Sequence, residues 1–180
     1  EAIACYQRAL TLNPNFAEAY SNLGNVYKGR GQLTEAISYY QRAIALNPNF
    51  ADVQNDLGAL LLLHDRLTEA LVCFQRALHL DPNSAEVYAN IGGVLKEMGR
   101  IEEAVKYYQR ALELKPTEAN FYMALIMSLH YSTHYDPLTI FLEHQRFNER
   151  YAKPLISLKP YLNERSPGRK LKIGYASPDF

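Results

Sequence analysis

Tryptophan is absent from these 180 residues, cysteine occurs only twice, and the charges cancel, with 19 Lys and Arg against 19 Asp and Glu. Each shortage excludes something. A chain without net charge lacks the basic excess that nucleic-acid-binding domains usually carry. Two cysteines cannot build a disulfide framework. The longest apolar run, around residues 57–63, falls far short of the roughly 18 residues that a membrane helix needs. The composition, 48% hydrophobic and 21% charged, is that of a folded water-soluble chain and not of a disordered one. No Ser/His/Asp arrangement, phosphate loop or Cys cluster stands out, so no catalytic, cofactor-binding or metal-ligating residue is assigned. No secretory signal is visible, and the chain opens on Glu1 inside an amphipathic pattern. Without an initiator Met, it reads as a piece of a longer cytoplasmic protein.

Neutrality is a sum of unlike parts. Residues 1–118 carry a net charge of −3 and residues 119–180 a net of +3. The boundary coincides with the end of an internal repeat. Pro14, Pro48, Pro82 and Pro116 recur every 34 residues, preceded by Gln7-Arg8-Ala9, Gln41-Arg42-Ala43, Gln75-Arg76-Ala77 and Gln109-Arg110-Ala111. Ala17, Ala51, Ala85 and Ala119 follow the same spacing. Full units therefore span 17–50, 51–84 and 85–118, with a half unit at 1–16 and a degenerate one at 119–131.

Each unit predicts two helices. Tyr20, Leu23, Gly24 and Tyr27 fall at i, i+3, i+4 and i+7, the spacing of one buried helical stripe. Gln54, Leu57, Gly58, Leu61 and Tyr88, Ile91, Gly92, Leu95 repeat it. Gly31 or Gly99 ends the first helix. Thr34-Glu35 or Thr68-Glu69 opens the second, whose stripe in the first unit is Ala36, Tyr40 and Ala43. Asn47, Asp81 or Lys115 before a proline closes it, since the residue before Pro is pushed out of the helical region. The pairs Tyr39-Tyr40 and Tyr107-Tyr108 read as core packing with a partly exposed neighbour. Cys5 and Cys73 occupy the same repeat position two units apart. Packed helices lie about 8–10 Å from one another, so the two thiols are out of disulfide reach and are expected to be free, buried and structural.

This pattern resembles the tetratricopeptide repeat over roughly residues 1–131. Tyr20, Tyr88 and Tyr122 stand where that repeat often has tryptophan, and Gln54 departs. The resemblance implies an all-α fold, a right-handed superhelix of helix–turn–helix units with a concave face.

Counting about 100° per residue from Tyr20 puts Asn22 opposite the buried stripe, and Asp56 and Asn90 repeat it. Asn and Asp are poor helix formers, so a mid-helix row of them points to a task other than packing. They would form a ladder hydrogen-bonding the backbone of an extended peptide. Glu18, Asp52 and Glu86 add an acidic edge. No Lys or Arg occupies either position in a full unit, which argues against a clamp for a C-terminal carboxylate. His130 and His134, with Asp136, have an i, i+4 spacing seen in metal sites, but Asp136-Pro137 breaks the helix. A solvated helix terminus is the expected reading.

Beyond the repeats, residues 132–160 predict a capping helix whose amphipathic part begins at Pro137, with Ile140, Phe141, His144, Phe147 and Tyr151 on one side. Pro154 should end or kink it. Residues 161–170 read as a linker, and 171–180, Leu171 to Phe180, as a short orphan strand. The order of repeats, aromatic helix, basic linker and Lys172-Ile173-Gly174-Tyr175-Ala176-Ser177-Pro178-Asp179-Phe180 resembles the join in bacterial-type protein O-GlcNAc transferases. In that family the repeats recruit protein substrates and a following Rossmann-like region uses UDP-GlcNAc without a metal. The resemblance implies that strand 171–180 opens a catalytic domain this chain lacks, and that UDP-GlcNAc belongs to the parent protein only. It carries a peptide-binding asparagine row onto Asn22 and Asn90, with Asp56 departing. The alternative is a stand-alone scaffold binding extended peptides. Expected partners are proteins or extended peptides, not nucleic acid or membrane, with self-association possible through the uncovered repeat ends.

Overall fold

The computed structural model describes residues 1–155. They form a row of antiparallel helices: α1 Ala2–Leu12, α2 Ala17–Gly29, α3 Leu33–Leu46, α4 Ala51–Leu63, α5 Leu67–Leu80, α6 Ala85–Glu97, α7 Ile101–Leu114, α8 Ala119–Tyr131 and α9 Pro137–Phe147. A π-helical turn over Asn148–Ala152 and a 3-10 turn over Lys153–Leu155 follow, with Pro154 inside the latter. The linker read at 161–170 and the strand read at 171–180 lie outside the described residues. Among the described residues no helix is long and apolar enough to cross a membrane.

Helix boundaries follow the repeat chemistry. Gly31 and Gly99 take positive φ, 73° and 75°, just after α2 and α6, a conformation in which a side chain would be strained. The middle unit places Asp65 there at φ 58°. Asp is one of the few residues besides glycine that visits the left-handed region. The second helices start one residue earlier than Thr34 or Thr68, at Leu33, Leu67 and Ile101. Their preceding residues reach into the first turn: Arg66 grips Glu69 and Arg100 grips Glu103 through two bonds each of 2.7–2.8 Å. At the far end, the side chains of Asn13, Asn47 and Asp81 each accept a bond from the backbone N–H two residues on, at 3.1 Å. This bends the chain across the proline.

Packing is strictly local in sequence. Each helix lies against its own partner and the next unit, as in any linear stack. The core is a column of second-helix rings set against first-helix glycines: Tyr40 over Gly24, Phe74 over Gly58, Tyr108 over Gly92. Ala36, Ala43, Ala70, Ala77, Ala104 and Ala111 fill the space between. Gln54, where the other units have tyrosine, is buried. Cys73 is half-buried, but Cys5 is exposed, contrary to the expectation of a buried thiol. The reason is that α1 packs against α2 and buries none of its own residues.

Burial pushes three ring hydroxyls up: Tyr108 and Tyr122 to about 12, and Tyr40 further. Secondary causes are the charges of Asp56 for Tyr40 and Glu97 for Tyr108, and the hydrogen bond to Glu143 for Tyr122. A raised folded-state value favours the neutral ring, so its contribution is complete below the unfolded value of about 10 and is lost as pH climbs past it. Thermal melts followed by circular dichroism should therefore be level from pH 8 to about 9.5 and fall steeply between about 10 and 12. A flat profile to pH 12 would show that these rings do not couple to folding.

Candidate functional site

The first helices α2, α4, α6 and α8 form one side of the stack. On that side α4 approaches α6 and α6 approaches α8, whereas α3, α5 and α7 make no comparable approach to one another. Neighbours that converge on one side curve the stack toward it, so the first helices line the inner face.

Asn22, Asp56 and Asn90 sit on this face, half-buried rather than fully solvated. An isolated-helix projection places them opposite the core. In the stack, however, a first helix has neighbours on both flanks, and those neighbours supply partners. Lys28 on α2 reaches Asp56 on α4, Nζ to Oδ1 2.7 Å. Asn90 Nδ2 on α6 donates to Asn55 Oδ1 on α4 at 2.8 Å. Tyr40 donates its hydroxyl to Asn25 Oδ1 at 2.6 Å, which ties the core ring to the same face. Sequence reasoning missed Lys28, Asn25 and Asn55. They occupy three different repeat positions, two facing a neighbouring first helix and Asn25 facing Tyr40 of its own unit, and at none of them does one residue type recur in all three full units.

Glu18, Asp52 and Glu86 are exposed in the first turns of α2, α4 and α6. Acids there also complement the helix dipole, which is reason enough for their sign. Glu86 takes Lys115 Nζ, the C-terminal neighbour of α7. That bond, then its own backbone N–H, holds the Glu86 carboxyl below its usual range. Glu18 and Asp52 have no ion-pair partner among the described residues.

The histidines part company. His134 Nδ1 lies 2.9 Å from Glu102 Oε1, while His130 Nε2 lies 2.9 Å from His144 Nε2 on α9. Asp136 caps α9 by accepting from the Thr139 N–H and hydroxyl at 2.9 and 2.7 Å. Among the described residues no three His, Cys, Asp or Glu side chains come together as a metal site would require. The aromatic side of α9 is also narrower than its periodicity implies. Phe147 and Tyr151 pack on Tyr122, with centroids 5.9 and 5.8 Å away, but Phe141 is exposed.

A stack of helix pairs with a 34-residue period, a glycine-notched first helix and an inner polar face defines a solenoid interaction protein. The Tetratricopeptide repeat family matches residues 17–50 and 85–118, a second family of the same description 39–72, and the TPR repeat family 1–30 and 64–99. Together they run from residue 1 to 118, and the chain belongs to the tetratricopeptide-repeat proteins. Solved structures agree. MamA superposes with a TM-score of 0.76 at 25% identity, covering 84% of this chain and 89% of that one. An O-GlcNAc transferase from Thermobaculum terrenum, a K341M mutant, gives 0.72 at 27% identity over 77% of this chain, but this chain spans only 27% of that protein. YrrB, described as a TPR protein with an unusual peptide-binding site, gives 0.73 at 24% identity over 85% of this chain and 78% of its own.

Proposed function

We propose that this interaction scaffold recruits protein substrates, as extended segments, for a UDP-GlcNAc-dependent protein O-glycosyltransferase. The observation that carries recruitment is the row Asn22, Asp56, Asn90, flanked by Glu18, Asp52 and Glu86, along one inner face. Asparagine amides both donate and accept, so a spaced row of them can hold a peptide backbone without demanding a sequence. The transferase context is supported by the likeness to the Thermobaculum terrenum enzyme, whose greater part has no counterpart in this chain. UDP-GlcNAc would be bound by that part and not by these repeats. A second reading, a free-standing scaffold, is favoured by MamA, of which this chain covers 89%. The two free thiols fit a reducing, cytoplasmic compartment.

Coding sequence for a nucleotide-sugar-binding region after Phe180 supports the transferase; a stop codon there leaves the scaffold. For the row itself, Asn22→Ala with Asn90→Ala should weaken binding of extended substrate peptides about tenfold, read by fluorescence anisotropy. Loss of the Asn90–Asn55 bond costs about 0.5–1.5 kcal/mol, offset in part by the better helix propensity of alanine, so the melting temperature should stay nearly level. Unchanged affinity at unchanged stability would remove the row from the binding site.

A further inference from the structure

The inner face does not keep one chemistry along the stack. At the position of Glu18, Asp52 and Glu86, α8 has Asn120, and at the position of Asn22, Asp56 and Asn90 it has Ala124. Met127 and Tyr131 lie three and seven residues after Ala124, within about 60° and 20° of it around the helix. They replace Asn25, Ala59, Gly93 and Gly29, Leu63, Glu97 of the earlier units. Both are open to solvent, Met127 at 49% and Tyr131 at 64%. The neighbouring helix α9 lies against α8 on another side, through Tyr122 and His130. The opposite end of the face is acidic. Glu18 and Asp52 are exposed and without ion-pair partners among the described residues, and Lys28 is already engaged by Asp56.

From this gradient we infer the class of segment the face selects, resting on the reading of the row as a peptide-binding surface. It takes an extended stretch of another protein that is basic at one end and apolar at the other. The basic residues lie against α2 and α4 and the apolar ones against Met127 and Tyr131. Charge complementarity sets the first contact. For the second, Met is an adaptable side chain suited to varied partners, and Tyr is enriched among residues that anchor interfaces. The spacing follows from geometry. At about 8–10 Å per step between packed helices, α8 lies about 16–30 Å across the face from α4 and α2. Met127 and Tyr131 lie 7 and 11 residues further along their helix than the acids do along theirs, or about 10–16 Å at 1.5 Å per residue. Combined, these put the two ends about 19–34 Å apart, and at about 3.3 Å per extended residue that separates the basic and apolar groups by about six to ten residues.

The test titrates the full 180-residue chain with five labelled synthetic peptides, read by anisotropy. The probe is Arg-Arg, six alternating Ser and Ala, then Leu-Phe, made in both chain directions. One control replaces Arg-Arg by Glu-Glu, a second replaces Leu-Phe by Ser-Ser, and a third shortens the spacer to one residue. The probe, in at least one direction, should bind tenfold or more tighter than every control. Met127→Ser with Tyr131→Ser should reduce it to the level of the Ser-Ser control, and Asp52→Ser should weaken it at least threefold. The Met127 and Tyr131 changes should leave the melting temperature nearly level, because these side chains are largely exposed, and Asp52→Ser should lower stability only by the loss of its helix-dipole contribution, about 0.3–1 kcal/mol. Equal affinity for all five peptides overturns the gradient; if Asn22→Ala with Asn90→Ala then weakens all five alike, the row stands alone. Discrimination among the peptides that is indifferent to the Asn variants keeps the gradient and removes the row. No binding of any peptide overturns both.

Discussion

Phe74→Ala should lower the free energy of unfolding by about 3–5 kcal/mol, the usual cost of emptying a buried phenylalanine site. The ring is fully buried in the middle unit, between the Gly58 notch of its own first helix and the flanking repeats. Two features keep the cost near the top of that range. The notch is backbone, which cannot relax into the cavity, and the surrounding Ala70 and Ala77 are too short to fill it. Position in the stack adds a second consequence. Each unit contacts only its neighbours, so weakening residues 51–84 uncouples the first unit from the third. Urea denaturation of the variant should become broader, with amides of α4 and α5 exchanging before those of α6 and α7. A single sharp transition displaced by less than about 1 kcal/mol would sink this account.

The repeat itself supplies the matching conservative change. Tyr40 and Tyr108 occupy the place of Phe74, so the site accepts a phenyl ring. Tyr40→Phe should cost only about 1 kcal/mol, for the hydroxyl bond to Asn25, because water can replace part of that bond at an exposed Asn25.

The stack was readable because its signals recur in register. One proline or one glycine is ambiguous, but Pro14, Pro48, Pro82 and Pro116 with Gly24, Gly58 and Gly92 leave few alternatives. Tyr39 and Tyr107 are half-buried and Tyr40 and Tyr108 buried, as the pairs implied. What could not be read was whatever depends on the neighbouring unit. The bonds of Lys28 to Asp56 and of Asn90 to Asn55 join residues 28 and 35 positions apart. They depend on side-chain reach across a helix–helix seam, which no single-helix projection contains. The exposure of Cys5 has the same origin. Its repeat position matches that of half-buried Cys73, but burial belongs to the neighbours and not to the position. At Phe141 the amphipathic period indicated the side of α9 that faces the stack but not how far that contact extends along it.

The glycine notches yield the second large effect, and one with an internal ranking. A Cβ on Gly24 would lie 2.5 Å from Tyr40 Cε1, on Gly58 2.7 Å from Phe74 Cε1, and on Gly92 2.9 Å from Tyr108 Cε1. Carbon atoms pack comfortably at about 3.5–4.0 Å, so each ring must retreat by several tenths of an ångström or more inside a close-packed column. Overpacking of this kind costs about 1–3 kcal/mol, and alanine in place of glycine returns about 1 kcal/mol of helix propensity. Steric cost should win at Gly24, where the overlap is worst and Tyr40 is also anchored by Asn25. It should come closest to balance at Gly92. Gly29, at the end of α2, is the control. A Cβ there meets nothing within 4 Å, so Gly29→Ala should be neutral or stabilise by up to about 1 kcal/mol. Pairing Gly58→Ala with Phe74→Leu isolates the cause, because the smaller side chain removes the clash and the two substitutions should cost less together than the sum of each alone. If Gly24→Ala melts with Gly29→Ala, or if the Gly58 and Phe74 changes simply add, the notches are not what seats the rings.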